Sequence, residues 1–206
     1  MHTETLAPNT KELFKKLSQI ELPGDFYLSG GTALALHLGH RESEDLDFFS
    51  QDEFYPEQLQ RVLEKELNLT DVTAETGTLN CYANGVKLQF LYYPYRLLEP
   101  LKTLDSIKIS SVQDIAGTKL LTISSRGSKK DFIDLYFILE LFSLKELFEL
   151  LNKKYSDQNY NTLHILKSLV YFEDSDDQPM PRMHKDVSWV TVKNVITQHV
   201  KMFEIV

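Results

Sequence analysis

Apolar residues recur with both helical and strand spacing up to about residue 110, and with helical spacing alone after it. Thr10 is predicted to cap a first helix, whose apolar positions are Leu13, Phe14, Leu17 and Ile20. Pro56 suits the first turn of another helix, whose apolar stripe is Leu59, Val62, Leu63 and Leu67. Between and after these helices, shorter apolar segments with a period of two predict strands.

A β-hairpin is predicted around Asn84-Gly85. This dipeptide separates two extended runs, 78–83 and 86–92. Both central residues of the favoured two-residue hairpin turn need a positive φ, which Asn and Gly adopt more readily than other residues. Gln89 is therefore expected on a strand that pairs with the strand before it.

Helical spacing predicts the architecture of the remaining chain. One helix is expected to start near Ser111 and another near Lys129, the latter continuing through residues 144–151. Two later helices are expected at 163–170 and 188–203. An acidic, proline-ended loop is expected between them, at 173–179. The predicted fold class is α+β: a mixed sheet with flanking helices in residues 1–110, then a helical C-terminal subdomain, 111–206, packed on this core.

Composition excludes several classes of protein. The chain has 206 residues, of which 42% are hydrophobic and 25% are charged, as in ordinary globular proteins. Its net charge of −8 argues against binding nucleic acid over the whole surface. The single cysteine, Cys81, excludes an internal disulfide framework and a Cys-rich zinc site. Because the sequence has neither a signal-peptide pattern nor a long apolar run, we expect a cytoplasmic protein without membrane association.

Residues 26–50, FYLSGGTALALHLGHRESEDLDFFS, combine a glycine turn with two aspartates on an apolar strand. Gly30 and Gly31 open a helix-forming run, so backbone N–H groups at the helix start are expected to bind a phosphate. Side chains alternate along the strand, which places Asp45 and Asp47 on the face opposite the core, about 6–7 Å apart. Two carboxylates at this separation can share hard cations.

Each of these residues also has a structural interpretation. Asp45 and Asp47 could be strand-end carboxylates turned to solvent, although the preceding glycine turn favours a metal site. The hydroxyls of Ser29 and Thr32 could cap the helix or contact a phosphate, and capping is the expected role. Arg41 could bind a phosphate or form a surface ion pair with Glu42, Glu44 or Asp45.

The strings GGTAL and RESEDLDF, residues 30–34 and 41–48, resemble the AbiEii/AbiGii toxin family of the DNA polymerase β-like nucleotidyltransferase superfamily. Residues 114–119 and 126–136 are similar to the downstream helical motif of that family. The resemblance implies a nucleotidyltransferase fold in residues 1–110, with Mg²⁺ (or Mn²⁺) at the aspartate pair. It implies transfer of a nucleotide from an NTP to a hydroxyl of an RNA, such as a tRNA, or of a protein. It also implies a bacterial toxin with a cognate antitoxin that is encoded separately.

The downstream motif adds further candidate residues. Lys119 lies on the same helical stripe as apolar residues, so its amine is expected to reach a nucleotide phosphate, in a catalytic role, or a carboxylate, unless the side chain extends to solvent. Asp131 and Asp134, three apart on one helix face, could hold the base or ribose, support Lys119, or cap the helix. The loop before them supplies Arg126 and Lys130 as candidate nucleotide contacts, although a solvated loop would have the same composition.

One position departs from the family's pattern. Catalytic members of the superfamily place a third carboxylate on a strand next to the aspartate pair, and the aligned position here is Gln89. An amide oxygen can ligate Mg²⁺, but it brings no charge and cannot accept a proton as a carboxylate can. Two functions follow: a nucleotidyltransferase in which Glu44, Asp131 or Asp134 replaces the third acid, or a catalytically silent protein of the same fold that binds a nucleotide, RNA or a partner protein.

Overall fold

The computed structural model describes residues 1–203. The chain forms two compact units, Met1–Ser111 and Val112–Val206. The first unit combines a sheet with helices, and the second is built from helices. In the described part of the chain, no helix is long and apolar enough to cross a membrane.

A seven-stranded mixed sheet forms the centre of the first unit. In chain order, its strands are β1 (Tyr27–Ser29), β2 (Leu46–Ser50), β3 (Leu69–Glu75), β4 (Thr78–Ala83), β5 (Val86–Tyr92), β6 (Lys102–Leu104) and β7 (Ile107–Ile109). Their order in space is β3-β4-β5-β2-β1-β7-β6. The β1–β7 and β2–β5 pairs are parallel and the other neighbours are antiparallel. Strand β2 therefore lies inside the sheet, between β1 and β5.

Burial alternates along the two central strands that carry the candidate residues. In β2 and β5 the rings of Phe48 and Phe90 are buried and stack with their centroids 5.1 Å apart. Residues on either side of these rings point to the opposite face because successive side chains of a strand alternate. Asp47 and Gln89 therefore share the face that lies away from the aromatic core, as the sequence predicted for Asp47.

The predicted hairpin is confirmed. Asn84 and Gly85 have φ values of 54° and 76°, and they connect β4 to β5 with Ala83 opposite Val86. Strand β5 in turn lies parallel to β2, which confirms that the strand carrying Gln89 is next to the aspartate strand. Two adjacent turn residues thus fix the register of the strand at the centre of the site.

Three α-helices accompany the sheet: α1 (Pro8–Leu17), α2 (Gly30–Leu38) and α3 (Pro56–Leu63). The predicted start of α1 at Thr10 is wrong. The helix begins at Pro8, whose fixed φ and missing N–H suit a first helical position. Thr10 is buried inside the helix, and its hydroxyl donates to the carbonyl of Glu44 at 2.7 Å. The hydroxyl that was predicted to cap the helix is therefore bonded to a residue far away in the sequence.

The second unit contains the helices α4 (Val112–Ser125), α5 (Lys129–Leu139), α6 (Leu144–Lys154), α7 (Thr162–Ser168), α8 (Glu173–Asp176) and α9 (Trp189–Lys201). Helix α4 packs against α5, α6 and α7, and α5 packs against α9. At Gly117 a Cβ atom would lie 3.2 Å from the backbone nitrogen of Leu151, so a glycine allows α4 and α6 to approach closely. The helices predicted near Ser111, near Lys129 and over 163–170 and 188–203 are confirmed.

Two details of the predicted helical part are wrong. The helix that starts at Lys129 does not continue through residues 144–151, because Ser143 and Glu146 form a capping box that begins a separate helix. The segment predicted as a loop, 173–179, contains the short helix α8. Ser175 in this helix is buried, and its hydroxyl donates to the carbonyl of Gly127 at 2.5 Å.

Candidate functional site

The glycine turn lies directly against one of the candidate carboxylates. Strand β1 ends at Ser29 and helix α2 begins at Gly30, whose φ is +68°. A Cβ atom at Gly30 would lie 3.0 Å from Oδ2 of Asp47, so the carboxylate would have to move by a few tenths of an ångström. Both the backbone conformation and this close approach therefore favour a glycine. The first N–H groups of α2 thus begin at the residue beside the Asp47 carboxylate.

The two hydroxyls expected to cap α2 have other partners. Ser29 makes no side-chain capping bond, and its Oγ accepts a hydrogen bond from the Ser110 hydroxyl at 2.8 Å. Thr32 is buried, donates to the backbone carbonyl of Asp45, and is 2.7 Å from Oγ of Ser43. The expected capping is therefore wrong for Ser29. Thr32 instead fixes the backbone that carries the first aspartate.

Asp47 stands in a row of polar side chains that continues across neighbouring strands. It is opposite Ser29 on β1 and opposite Gln89 on β5. Gln89 is in turn opposite Asn80 on β4. Directly opposed residues point to the same face of a sheet, and neighbouring strands lie about 4.8 Å apart. Asp45 precedes β2 by one residue, on the same side as Asp47, and both aspartates are partly exposed.

The donor atoms at this position fit a divalent cation that is shared with a substrate. No group of three or more His, Cys, Asp or Glu side chains able to hold a metal occurs within residues 1–203. Asp45 and Asp47 supply two carboxylates, and the neighbouring Gln89 supplies a neutral oxygen. Mg²⁺ is usually bound through one or two carboxylates together with substrate phosphates rather than by a closed protein cage. The residues present are thus compatible with Mg²⁺ or Mn²⁺ bound with a triphosphate.

Arg41 belongs to the buried connection between α2 and β2. Its side chain is only 3% exposed, so the prediction that it forms an ion pair at the surface is wrong about the surface. Nη1 of Arg41 donates to the carbonyl of Glu42 at 3.0 Å. Ser43, which follows Glu42, contacts the hydroxyl of Thr32. Arg41 and Thr32 therefore stabilise the same segment, which leads to Asp45.

Sequence reasoning missed the contribution of Ser110. Besides its hydroxyl contact to Ser29, its carbonyl accepts a hydrogen bond from Nε2 of His37 at 2.8 Å. Burial lowers the pKa of His37, although the hydrogen bond to Ser110 acts to raise it. The lowered pKa favours the neutral ring. No local signal identifies Ser110, because the three-residue strand before it pairs with β1 across about 80 residues of chain.

In the second unit, Lys119 reaches carboxylates. Its Nζ lies 3.0 Å from Oδ1 of Asp131 and 2.8 Å from Oδ2 of Asp134, and all three side chains are buried. This is one of the two partner types that the sequence predicted for the lysine. Two of the three N–H donors of this ammonium are therefore already bonded to carboxylates.

Asp131 connects the buried lysine to the preceding basic loop. Its Oδ2 accepts hydrogen bonds from the Ser128 hydroxyl at 2.6 Å and from Nε of Arg126 at 3.2 Å. Burial acts to raise the pKa of Asp131, but the charges of Lys119 and Arg126 and the Ser128 bond outweigh it, so the pKa lies below its ordinary value. Asp131 thus both caps α5 and supports Lys119. Arg126, whose side chain is 64% exposed, and Lys130 remain at the surface.

A second buried ion pair in this unit was not predicted from the sequence. Nζ of Lys154, at the end of α6, lies 2.7 Å from Oδ1 of Asp114 at the start of α4, and both side chains are buried. The adjacent hydroxyls of Thr118 and Tyr155 are 2.8 Å apart. These contacts join α4 to α6, so Lys154 and Asp114 have a packing role.

Comparisons with known proteins agree with this arrangement. A model of the nucleotidyl transferase AbiEii toxin family, from type IV toxin–antitoxin systems, matches residues 12–69, which contain the glycine turn and both aspartates. An uncharacterized protein of Aquifex aeolicus (strain VF5) is 37% identical over 206 residues, with 96% of this chain and 97% of the relative covered. The family match thus includes the glycine turn and both aspartates, while the alignment with the relative extends over nearly the whole chain.

Solved structures have the same fold. MenT4, a nucleotidyltransferase toxin of Mycobacterium tuberculosis H37Rv, superposes with a TM-score of 0.59 at 13% identity over 98% of this chain and 88% of that one. JHP933 of Helicobacter pylori superposes with a TM-score of 0.54 at 16% identity, over 98% of this chain and 89% of that one. The mixed sheet and its flanking helices are those of a nucleotidyltransferase fold. The chain belongs to the AbiEii nucleotidyltransferase toxin family.

Proposed function

We propose that this protein transfers a nucleotide from an NTP, bound with Mg²⁺ or Mn²⁺, to a hydroxyl of an RNA acceptor such as a tRNA. One observation carries the proposal: the carboxylate of Asp47 lies beside Gly30, where helix α2 begins, so that a Cβ atom added there would be 3.0 Å from Oδ2 of Asp47. A phosphate-binding helix start and a metal-binding carboxylate are thereby adjacent. The family match supports a cytoplasmic bacterial toxin whose antitoxin is encoded separately.

The residues of the first unit have distinct roles in this reaction. N–H groups at Gly31 and the following residues bind the triphosphate, while Asp45 and Asp47 hold the divalent cation. When bound, the cation supplies charge that stabilises the phosphates as pyrophosphate leaves. The acceptor oxygen forms a bond to the α-phosphorus as the bond to the bridging oxygen of the β-phosphate breaks. Because Gln89 cannot take the hydroxyl proton, the proton passes to Asp47 or to water.

Residues of the second unit have a less direct part in the proposal. Arg126 and Lys130, both exposed, are assigned to contacts with the nucleotide or RNA phosphates. Asp131 holds Nε of Arg126, and Lys119 compensates the charges of Asp131 and Asp134. We therefore assign Lys119 to positioning, and the two aspartates to supporting it, rather than to contact with the base or ribose.

Incorporation of four separately labelled NTPs into total tRNA, with Mg²⁺ or Mn²⁺, tests the proposed activity. Metal-dependent labelling from one NTP would support it and would identify the nucleotide. A protein that binds NTP in the presence of metal but labels no RNA would contradict it. Labelling of a protein fraction instead of RNA would transfer the proposal to a protein hydroxyl.

A second candidate function rests on Gln89: a silent protein of this fold that binds a nucleotide or RNA. Glu44 is not placed to act as the third acid. It is exposed, and because successive side chains alternate it points away from the side of Asp45. If a missing base limits transfer, Gln89→Asp should increase the rate by about 10²-fold or more, since a general base contributes about 10² to 10⁴. The measurement is initial rate of labelling, with Gln89→Leu as the control that removes the amide without adding an acid. A rate that falls in both variants would show that the amide itself is required.

Gly30→Ala tests the contact between the glycine turn and Asp47. The added methyl would displace the Asp47 carboxylate and strain a backbone at φ +68°, so we expect NTP affinity in Mg²⁺ to fall by roughly tenfold or more. Gly85→Ala is a matched control, because its φ is +76° but no atom lies within 4 Å of the added Cβ. Both variants should lose about 1–2 kcal/mol of unfolding free energy. Equal losses of NTP affinity in the two variants would contradict the proposed contact.

A further inference from the structure

The polar row that contains Asp47 and Gln89 continues one strand further, to Asn80. Asp47 on β2 is opposite Gln89 on β5, and Gln89 is opposite Asn80 on β4. The three side chains therefore point to one face, and Asn80 lies two strand spacings, about 10 Å, from Asp47. Since the glycine turn lies on the other side of Asp47, toward β1, Asn80 lies on the side of Asp47 away from the proposed triphosphate.

The carboxamide of Asn80 has an unused acceptor. Its Oδ1 is buried and makes no hydrogen bond within the described residues, while the residue as a whole is partly exposed. Buried side-chain polar atoms nearly always have a partner, because leaving an acceptor unmatched is costly. An amide oxygen accepts from N–H or O–H donors. A ligand that brings a hydroxyl to this position would therefore relieve an existing cost.

We propose that Asn80 accepts a hydrogen bond from a ribose hydroxyl at the end of the RNA acceptor. This inference rests on the proposed nucleotidyl transfer and assigns the acceptor side of that site. A terminal ribose has two adjacent hydroxyls, so one can attack near Asp47 while its neighbour donates toward β4. The neutral amides of Gln89 and Asn80 suit an uncharged sugar better than a phosphate. A 2′-hydroxyl is the group by which a protein distinguishes RNA from DNA, so Asn80 selects an RNA end.

The test compares an RNA oligonucleotide with the same oligonucleotide ending in 2′-deoxyribose. Transfer rate and oligonucleotide affinity are both measured for the wild type and for Asn80→Leu. Loss of one neutral hydrogen bond should reduce the wild type's preference for the ribose end by about three- to tenfold. Asn80→Asp keeps an acceptor oxygen and should keep the preference. Thr78→Val, two residues away on the same face of β4, is the control and should also keep it.

Each outcome separates this inference from the proposed function. A preference that is unchanged in Asn80→Leu would overturn the role of Asn80, as would an affinity of the wild type that is equal for both ends. Altered discrimination between NTP and dNTP, with acceptor preference intact, would also overturn it and assign Asn80 to the nucleotide. If the wild type transfers nothing but binds the ribose end more tightly, and Asn80→Leu loses that difference, the proposed transfer fails while the role of Asn80 stands.

Discussion

Asp47→Asn is expected to reduce nucleotidyl transfer on the order of 10³-fold or more. The substitution keeps the size of the side chain but removes one of the two charges that are proposed to hold the divalent cation. A bound cation contributes several kcal/mol of transition-state stabilisation, and each 1.36 kcal/mol corresponds to tenfold in rate. The measurement is the rate of NTP incorporation into RNA at saturating Mg²⁺, together with growth arrest on expression if the protein acts as a toxin.

Asp52→Asn provides the matched control for this experiment. Asp52 lies two residues after the end of β2 and its side chain is exposed, so the same chemical change should leave the rate of transfer unaltered. Asp45→Asn should resemble Asp47→Asn, because both carboxylates are assigned to one cation. An Asp47→Asn protein that still transfers at the wild-type rate would remove the metal site from this face of the sheet.

Lys119→Met is expected to lower the free energy of unfolding by about 3–5 kcal/mol. The variant leaves the carboxylates of Asp131 and Asp134 buried without their shared cation, and an uncompensated buried charge costs about this amount. The measurement is denaturant unfolding at neutral pH. Neutralising the partners as well, in a variant with Lys119→Met, Asp131→Asn and Asp134→Asn, should recover most of the loss.

The control for the lysine is Lys145→Met on α6. Lys145 is exposed, and substitutions at such positions usually change stability by less than about 0.5 kcal/mol. A Lys119→Met protein with wild-type stability but without transfer activity would contradict the positioning role. That result would favour the direct phosphate contact that the sequence also allowed.

Features encoded by neighbouring residues could be predicted from the sequence. Asn84-Gly85 specify a turn whose geometry depends only on their own φ values, so the positions of β4 and β5 follow from the dipeptide. The same turn sets Asn80 opposite Gln89, so the sequence also contains a local signal for the position of Asn80 in the polar row. The alternation of Asp45 and Asp47 with apolar residues was predictable for the same local reason.

Features that depend on distant partners could not be predicted in the same way. Thr10 has the side chain of a helix cap, but its hydroxyl bonds to Glu44 after the chain folds back. Lys119 was recognised as unusual for its position, yet the choice between phosphate and carboxylate depends on how α5 packs against α4. The pairing of Ser110 with Ser29 likewise requires a parallel strand contact across most of the first unit.

Strand β2 is hydrogen-bonded to a neighbour on each side, β1 in an antiparallel and β5 in a parallel arrangement. The backbone that carries Asp47 therefore has little freedom to shift independently of the sheet. The conformational entropy of this backbone has already been lost during folding, so substrate binding does not have to order it. Catalytic groups held in this way need little reorganisation as charge develops. Positional precision at Asp47 is thus a property of the whole sheet, and mutations far from the carboxylate can reduce it by loosening the strands on either side.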